Sequence, residues 1–270
     1  MKNFSVLISV YFKEKPEFLE KSLQSIWDDQ TLKPNEIVLI KDGILTKELD
    51  DTINDFSKKK PVKVITLKKN IGLGLALQEG VKHCSYEYIA RMDSDDIAYP
   101  ERFKKQMSFL VNNPHIDILG SYIGEFTDSI DNINSVRKVP LEHSEIIKNL
   151  RGRCPLNHPT VILRKSALIK SGSYKPFFLK EDIYLWLRLY SGNFKFANLP
   201  ECLLYFRMSK DTFKRRGGYK HAQSEFKIFL YRYKIGLINV FQLIFYLSLT
   251  LPVRLAPSFL RGFIYKFLLR

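Results

Sequence analysis

The first 126 residues alternate between short apolar runs and amphipathic segments, and this alternation restricts the folds open to the chain. Residues 4–12 are rich in β-forming side chains, and Pro16 opens a helical pattern over residues 17–27. The same order of strand and helix recurs at residues 36–40 and 45–56, at 62–67 and 72–83, and at 86–92 with the helix after Pro100. This pattern predicts an α/β fold with a mostly parallel sheet, helices on both faces, and ligands bound beyond the carboxyl ends of the strands.

The regular alternation ends near residue 126. Residues 116–126 predict a strand and 128–134 a polar loop, whereas residues 136–207 contain shorter, mixed elements, among them a strand at 160–164 and a helix at 182–190. We therefore divide the chain into a first half, 1–125, a second half, 126–224, that completes a site founded by the first, and a tail, 225–270.

Composition and charge exclude several classes of protein. With 45% hydrophobic and 13% aromatic residues the chain can bury a core, which rules out disorder. The 43 Lys and Arg against 28 Asp and Glu predict an anionic partner such as phosphate, nucleic acid or lipid headgroups.

Three cysteines without a C-x-x-C spacing exclude a disulfide framework or zinc ribbon and fit a reduced, cytosolic compartment. The apolar start is interrupted by Lys13 and Glu14, so we interpret it as a buried strand rather than a signal peptide.

Basic and apolar residues accumulate towards the C-terminus. Residues 201–270 contain 13 Lys and Arg but 3 Asp and Glu, and residues 237–251 form a stretch of 15 mainly apolar side chains. At ~1.5 Å per residue, a helix of that length spans about 22 Å, short of the roughly 30 Å hydrocarbon core of a bilayer. Aromatic side chains and cations mix over residues 253–270, which predicts an amphipathic helical tail in the membrane interface. The alternative is a helical hairpin packed on the domain or in a dimer.

Three carboxylates, Asp93, Asp95 and Asp96, follow the fourth predicted strand. Carboxylates this close repel one another unless a cation joins them, and all-oxygen ligands suit Mg²⁺ or Mn²⁺ that also binds phosphate oxygens. The motif thus indicates a divalent ion on a diphosphate. The alternative is a solvated acidic turn or a cap of the next helix.

Other polar residues follow strands at the same predicted edge. Asp42 ends the second strand, where it could accept a hydrogen bond from a base or simply form a turn. Asn70 and Gly72 precede the third helix, whose N-terminus could face an anion.

An acid pair, Glu181–Asp182, opens an amphipathic helix that carries Trp186. The functional interpretation is a base directed into the site, with Trp186 as an apolar platform for a sugar ring. The structural interpretation is a helix cap with a first-turn acid, which the helix dipole favours. The spacing alone leaves both open.

Taken together, these segments resemble family 2 glycosyltransferases of the GT-A fold. The matching strings, in family order over residues 4–210, are SVLISVYFKE, KDG, NIGLGLA, ARMDSDD followed by PERF, NHPTVILRKSAL, and KEDIYLWLRL. The resemblance implies a Rossmann-like, nucleotide-binding mixed sheet flanked by helices, and an inverting transferase with a nucleotide-sugar donor. The acidic motif with its following PER and the short basic tail are most similar to bacterial enzymes that build O-antigen or capsular repeat units.

The resemblance also implies roles for the matching residues. Residues 1–125 become the nucleotide-sugar-binding half, 126–224 the acceptor-binding half with the catalytic base, and 225–270 the membrane-associating tail. Asp95 is expected to hold Mn²⁺ or Mg²⁺, and Asp182 to act as base. Glu181 and Trp186 are expected to contact the acceptor. The expected donor-binding residues are Ser9, Tyr11, Glu14, Asp42, Asn70, Gly72, Arg91 and Asp93, with Asp42 bonded to the uracil.

The chain departs from the family pattern after Arg207, where many relatives carry a His. Here Met208 and Ser209 follow, and neither His158 nor His221 is assigned as a third metal ligand. The Q-x-x-R-W signature of processive synthases is missing, which favours transfer of a single sugar. The basic run at residues 214–218 is either a loop that closes over the diphosphate or solvated charge.

These observations predict transfer of a hexose from a UDP-sugar to a lipid-diphosphate-linked saccharide in surface polysaccharide biosynthesis. We expect the enzyme on the cytoplasmic face of the bacterial inner membrane, peripherally bound through anionic lipid. A basic nucleic-acid-binding protein is the first alternative, but the sequence contains no helix-turn-helix, zinc-finger or RNP signature, so we expect no nucleic-acid partner. An inactive membrane scaffold is the second, and the retained acids argue against it.

Overall fold

The computed structural model describes residues 2–58, 60–208 and 218–255. The strands are β1 (Phe4–Val10), β2 (Glu36–Lys41), β3 (Val62–Thr66), β4 (Tyr88–Asp93), β5 (Ile97–Ala98), β6 (Ile118–Phe126), β7 (Ile133–Arg137), β8 (Ile162–Arg164) and β9 (Phe196–Arg207). The helices are α1 (Pro16–Ser25), α2 (Lys47–Ser57), α3 (Leu73–His83), α4 (Arg102–Asn112), α5 (His143–Leu150), α6 (Lys165–Lys170), α7 (Glu181–Ser191), α8 (Tyr219–Lys234) and α9 (Val240–Leu255), with a 3-10 turn at His158–Thr160.

Within these ranges the strands form one mixed sheet in the order β3-β2-β1-β4-β8-β6-β9-β5, with β7 paired to β6. The first four strands run parallel to one another, as the alternation predicts. β8 is antiparallel to both β4 and β6, and it therefore joins the parallel strands β1 to β4 to the rest of the sheet.

The sheet is covered by helices on both faces. In β1, Val6 and Ile8 belong to one buried cluster and Leu7 to the other, because successive side chains of a strand point to opposite faces. Helices α1, α2 and α4 pack on the first face, and α3 with α5 to α9 pack on the second. Burial on both faces explains why β1 and β2 are nearly continuous apolar runs, whereas the edge strand β3 is partly exposed.

The second half differs from the predicted elements at β7 and β9. Residues 133–137 pair with β6, although the sequence predicts a polar loop that extends to residue 134. Pro200 makes β9 hard to recognise because proline has no backbone N–H for a sheet ladder. The register with β6 skips Pro200 and Glu201, and then Leu203, as bulges, after which pairing continues to Phe126 opposite Arg207.

The described part of the tail is a helical hairpin of α8 and α9 that packs on the domain. Ile228 and Phe229 are fully buried, and Tyr246 stacks on Phe229 with ring centroids 5.4 Å apart. The outer side of α9 leaves apolar side chains exposed, Phe241 by 79%. The sequence left two arrangements open, a tail in the membrane interface and a hairpin packed on the domain. The described part of the tail packs on the domain. Residues 256–270, and residues 214–217 of the basic run, lie outside the described residues.

None of the helices in the described ranges combines the length and apolar character needed to cross a bilayer. Side chains from both predicted halves share each buried cluster, Leu7 with Phe196 in one and Ile8 with Leu204 in the other. The functional boundaries at residues 125 and 224 therefore divide one packed unit, and they stay a prediction.

Candidate active site

Three neighbouring parallel strands bring their carboxyl ends to one edge of the sheet. Ser9 of β1 is in register with Asp93 of β4 and with Ile40 of β2. The backbone N–H of Asp42, directly after β2, donates to the carbonyl oxygen of Val10 at 2.8 Å. Ser9, Asp42 and Asp93 therefore lie at the same edge, which is where ligands bind in sheets of this type.

Asp42 holds the loop that leads into α3. Its Oδ1 accepts the backbone N–H of Ile71 at 2.8 Å, and its Oδ2 accepts that of Gly72 at 3.1 Å. Gly43 completes the turn with a φ of +93°, and a Cβ there would lie 2.6 Å from the backbone nitrogen of Asn70. Asn70 is exposed, and a Cβ on Gly72 would meet no atom within 4 Å, so the loop leaves space beside the edge. A contact between Asp42 and a nucleotide base stays a prediction.

The carboxylates of Asp93, Asp95 and Asp96 gather after β4, with one oxygen of each within 4.8 Å of the others. Burial, and then the charges of Asp93 and Glu14, raise the pKa of Asp95 to about 7. Burial and the charge of Asp95 also raise the pKa of Asp96, whose Oδ2 is buried without a hydrogen-bond partner among the described residues. These oxygen donors repel one another and fit Mg²⁺ or Mn²⁺. The family resemblance implies Asp95 as the ligand, and the geometry keeps all three carboxylates of the sequence motif as candidates.

Arg91 and Glu14 flank these carboxylates. Arg91 is 2% exposed, and its Nη2 pairs with Oδ1 of Asp93. Its Nε and Nη1 are buried and have no hydrogen-bond partner in the described part of the chain. Glu14 accepts a hydrogen bond from the hydroxyl of Ser94, and Tyr11 on the same loop is 38% exposed.

Arg207, at the end of β9, contacts the same cluster, although no role for it follows from the sequence. Its backbone N–H donates to Oδ1 of Asp96 at 2.9 Å, and its Nε donates to the backbone carbonyl of Asp95 at 2.9 Å. Its guanidinium lies 3.9 Å from the ring centroid of Phe18 and 4.5 Å from that of Phe126. Arg207 therefore positions the acidic motif. The antiparallel pairing of β9 with β5, in which Tyr205 lies opposite Ile97, delivers it there, and a local sequence pattern does not reveal that pairing.

Glu181 and Asp182 open α7 and approach the edge from the second half. Burial, and then the charge of Asp182, raise the pKa of Glu181 to about 7, and the charge of Asp93 adds to this rise. A Cβ on Gly74 of α3 would lie 3.4 Å from the Cβ of Glu181, so the start of α7 packs on the loop that Asp42 holds. Oδ2 of Asp182 accepts a hydrogen bond from Sγ of Cys154 at 3.6 Å, a neighbour that sequence reasoning missed.

Trp186 does not form the predicted platform for a sugar ring. Its side chain has no exposed surface. Leu185, Leu187 and Leu189 are buried as well, so α7 is enclosed on most sides. The indole ring lies edge-on to His158 with centroids 5.8 Å apart. The prediction of an accessible Trp186 is therefore wrong in this structure, and the side chain belongs to the core.

The two unassigned histidines have other partners. Nε2 of His158 lies 3.0 Å from the hydroxyl of Tyr174, and burial lowers the pKa of His158. Nδ1 of His221 on α8 lies 3.9 Å from a carboxylate oxygen of Glu225. Among the described residues, the group able to hold a metal ion consists of Asp93, Asp95 and Asp96.

The sheet has a parallel part, β1 to β4, which the antiparallel strand β8 joins to a mixed part. Acidic side chains lie where the two parts meet. This is a GT-A-like arrangement. The crystal structure of S. aureus TarS residues 1–349 in complex with UDP-GlcNAc has this fold. It is 19% identical to the chain, with a TM-score of 0.67 over 98% of this chain and 73% of that chain. The likeness identifies the fold.

The chain belongs to glycosyl transferase family 2, whose pattern matches residues 5–172. The UDP-Gal:alpha-D-GlcNAc-diphosphoundecaprenol beta-1,3-galactosyltransferase of Escherichia coli is 38% identical over 99% of this chain and 96% of its own length. The amylovoran biosynthesis glycosyltransferase AmsE of Erwinia amylovora is 37% identical over 97% of this chain and 98% of its own length. The protein is thus a glycosyltransferase related to bacterial enzymes of O-antigen and polysaccharide biosynthesis.

Proposed function

We propose that the protein is an inverting, metal-dependent transferase that moves one hexose from a UDP-sugar to a saccharide carried on a lipid diphosphate. One observation supports this most strongly: three carboxylates lie within 4.8 Å of one another at the edge that α7 approaches with its own acid pair. A cation site beside a base suits a reaction in which a diphosphate leaves. The Escherichia coli relative is named for this class of acceptor, which favours a lipid diphosphate here as well.

In the proposed complex the nucleotide lies along the carboxyl edge. A carboxylate has about four lone-pair sites, so Asp42 can accept an N–H of uracil while it still holds the loop before α3. Ser9, Tyr11 and Glu14 surround the base and ribose. Asn70 and Gly72 border the nucleotide, and Arg91 and Asp93 contact the ribose or the donor sugar.

The acidic motif holds the Mn²⁺ or Mg²⁺. Asp95 supplies the ligand expected from the family, with Asp93 and Asp96 close enough to add oxygens. The hydrogen bonds from Arg207 keep Asp95 and Asp96 in this arrangement. A divalent ion bound there stabilises the negative charge that develops on the departing diphosphate.

Asp182 is the proposed base. It takes the proton of the acceptor hydroxyl while that oxygen bonds to the anomeric carbon of the donor sugar. The bond from the anomeric carbon to UDP breaks on the opposite side, its electron pair leaves with UDP, and the configuration inverts. The hydrogen bond from Cys154 keeps the carboxylate in one orientation and leaves other lone pairs for the acceptor.

The hairpin of α8 and α9 is the proposed contact with the membrane. Phe241, Ile244 and Phe245 are 79%, 61% and 57% exposed on α9. Lys227 and Lys234 are exposed on α8, and such cations favour anionic headgroups. We place the enzyme peripherally on the cytoplasmic face of the bacterial inner membrane, where a lipid-linked acceptor is within reach.

The experiment is a screen of the purified full chain for UDP release. UDP-Glc, UDP-Gal, UDP-GlcNAc and UDP-GalNAc are each offered with a synthetic GlcNAc-diphosphate-lipid, in Mn²⁺ and in EDTA. We expect acceptor-dependent release from one donor, loss in EDTA and recovery with Mn²⁺. NMR of the product should show an anomeric configuration opposite to that of the donor.

Two variants test the proposed residues. Asp95→Asn and Asp182→Asn should each lower kcat about 10²- to 10⁴-fold, the range expected when a general base or its electrostatic support is lost. Asp128→Asn, the same change at an exposed position, is the matched control and should retain activity. If the wild-type protein releases UDP from none of the donors, or if both variants match it, the proposal is wrong.

A further inference from the structure

The C-terminal hairpin carries one buried acid. Glu225 is the only Asp or Glu between residues 212 and 270, and on α8 it is 5% exposed. Its Oε2 lies 2.9 Å from Nζ of Lys180 and 3.3 Å from Nε of Arg254. Burial of a carboxylate is unfavourable unless cations pair with it. The lone acid of this basic segment is therefore directed into the protein, where it meets the buried Lys180 and the half-buried Arg254.

Lys180 is the residue from which α7 starts. It occupies the N-cap position without a side-chain capping hydrogen bond, is 9% exposed, and directly precedes Glu181 and Asp182. An ion pair at this point joins α8 to the first turn of α7. The location of the acid pair thus depends on a contact made by the C-terminal hairpin.

The turn before Lys180 is strained. Leu179 has a φ of +54°, a left-handed conformation that is unfavourable for a residue with a Cβ. Both neighbours of Leu179 are held by α8. The hydroxyl of Ser224 donates to the carbonyl oxygen of Phe178 at 2.7 Å, and Glu225 pairs with Lys180. Two adjacent residues of α8 therefore hold a turn that would otherwise relax.

We infer that Glu225, assisted by Ser224, is a positioning residue for the transfer step, because it holds the turn that places Asp182 at the donor edge. The inference rests on the proposed role of Asp182 as base. Its ion pairs lead to α7 and α9 rather than to the nucleotide-binding strands. Loss of Glu225 should therefore slow the chemical step more than it weakens donor binding.

The test compares Glu225→Gln, Glu225→Asp and Ser224→Ala with the wild-type full chain. Measurements are kcat, the donor KM, and the affinity for UDP by calorimetry, with the most active of the four UDP-sugars and the GlcNAc-diphosphate-lipid. Circular dichroism sets an assay temperature at which every variant is folded. Glu145→Gln and Ser144→Ala, the same changes at exposed positions of α5, are the matched controls.

We expect Glu225→Gln to lower kcat about ten- to a hundredfold, the scale of a misplaced catalytic group, with donor KM and UDP affinity within about twofold of wild type. Glu225→Asp should recover part of kcat, and Ser224→Ala should lower kcat severalfold without a change in UDP affinity. If Glu225→Gln does not fold, the kcat and UDP affinity of Ser224→Ala and Glu225→Asp decide whether the inference holds.

Two results would overturn the inference. One is a kcat within about twofold of wild type in the folded variants. The other is a loss of UDP affinity as large as the loss of kcat, which would indicate a general structural role. Failure of the proposed function would give different results: Asp182→Asn would leave turnover unchanged, or the wild-type chain would show no turnover. If Asp182→Asn abolishes transfer while the variants of Glu225 and Ser224 do not affect it, the inference alone is wrong.

Discussion

The carboxylate of Asp42 and the backbone N–H of Gly72 are joined by a hydrogen bond of 3.1 Å across 30 residues of sequence. The other carboxylate oxygen accepts the N–H of Ile71, so one side chain fixes the residues that lead into α3. The end of β2 and the start of α3 are thereby held together.

Replacement of Asp42 tests this relationship. Asp42→Asn keeps the shape but turns one acceptor into an amide donor that faces a backbone N–H. We expect the free energy of unfolding to fall by about 1–3 kcal/mol, the cost of a buried group without its partner, and UDP to bind more weakly. Urea denaturation and calorimetry measure the two effects, with Asp128→Asn as control. Unchanged stability would contradict the loop-holding role of Asp42.

Gly43 provides a test that separates backbone strain from steric overlap. A Cβ on Gly43 would meet the nitrogen of Asn70 at 2.6 Å and would require a φ of +93°. Gly236 has a comparable φ of +70° but no atom within 4 Å of its Cβ position. The free energy of unfolding should therefore fall by roughly 1–2 kcal/mol in Gly236→Ala, from backbone strain alone. It should fall clearly more in Gly43→Ala. An equal loss of thermal stability in the two variants would show that the loop around Asn70 moves aside at little energetic cost.

The burial of Trp186 leads to a prediction about the acceptor. Trp186→Phe removes buried ring atoms, so we expect the free energy of unfolding to fall by about 1–3 kcal/mol while the acceptor KM stays unchanged. Trp27→Phe, the same change at a half-buried position, should affect stability less. A raised acceptor KM at unchanged stability would restore the platform role predicted from the sequence.

His221 should make stability dependent on pH. Burial, and then the charges of Arg254 and Lys180, lower the pKa of His221 from 6.5 to about 4. Between these values the unfolded chain binds a proton that the folded protein does not, so stability is lost as the pH falls from 6.5 towards 4. We expect the Tm of the wild type to fall more steeply over this range than that of His221→Gln.

The control for this measurement is His115→Gln, because His115 is exposed in a turn after α4. That variant should keep the wild-type slope of Tm against pH. If His221→Gln also keeps it, the packing of α8 around His221 is not what makes the protein acid-sensitive.

The first half of the fold follows from local pattern. Each apolar run of β1 to β4 is bounded by polar residues and followed by a helical period, and both signals lie within a few residues along the chain. β9 shows the limit of this reasoning, because Pro200 and Glu201 interrupt its pattern. Its pairing with β6 depends on contacts about 80 residues apart, which no local window contains.

Trp186 shows a second limit. The amphipathic pattern of α7 indicates one apolar face, and it does not say whether the other sides are exposed. Packing between elements decides this: the ring of Trp186 meets that of His158 with centroids 5.8 Å apart, and all side chains from Leu185 to Leu189 are buried. A residue on the predicted ligand side of a helix thus lies in the core, beside a turn that precedes β8 in the chain.

The sequence by itself determined the parallel half of the sheet, the acids that follow its strands and the family to which the chain belongs, because short-range periodicity and motif order encode them. Only the tertiary structure decided that Arg207 holds Asp95 and Asp96, that Cys154 donates to Asp182, and that Trp186 lies in the core. These contacts join segments far apart in the chain. They arise when distant elements bury their apolar faces against one another, and the place of each polar side chain follows from that packing.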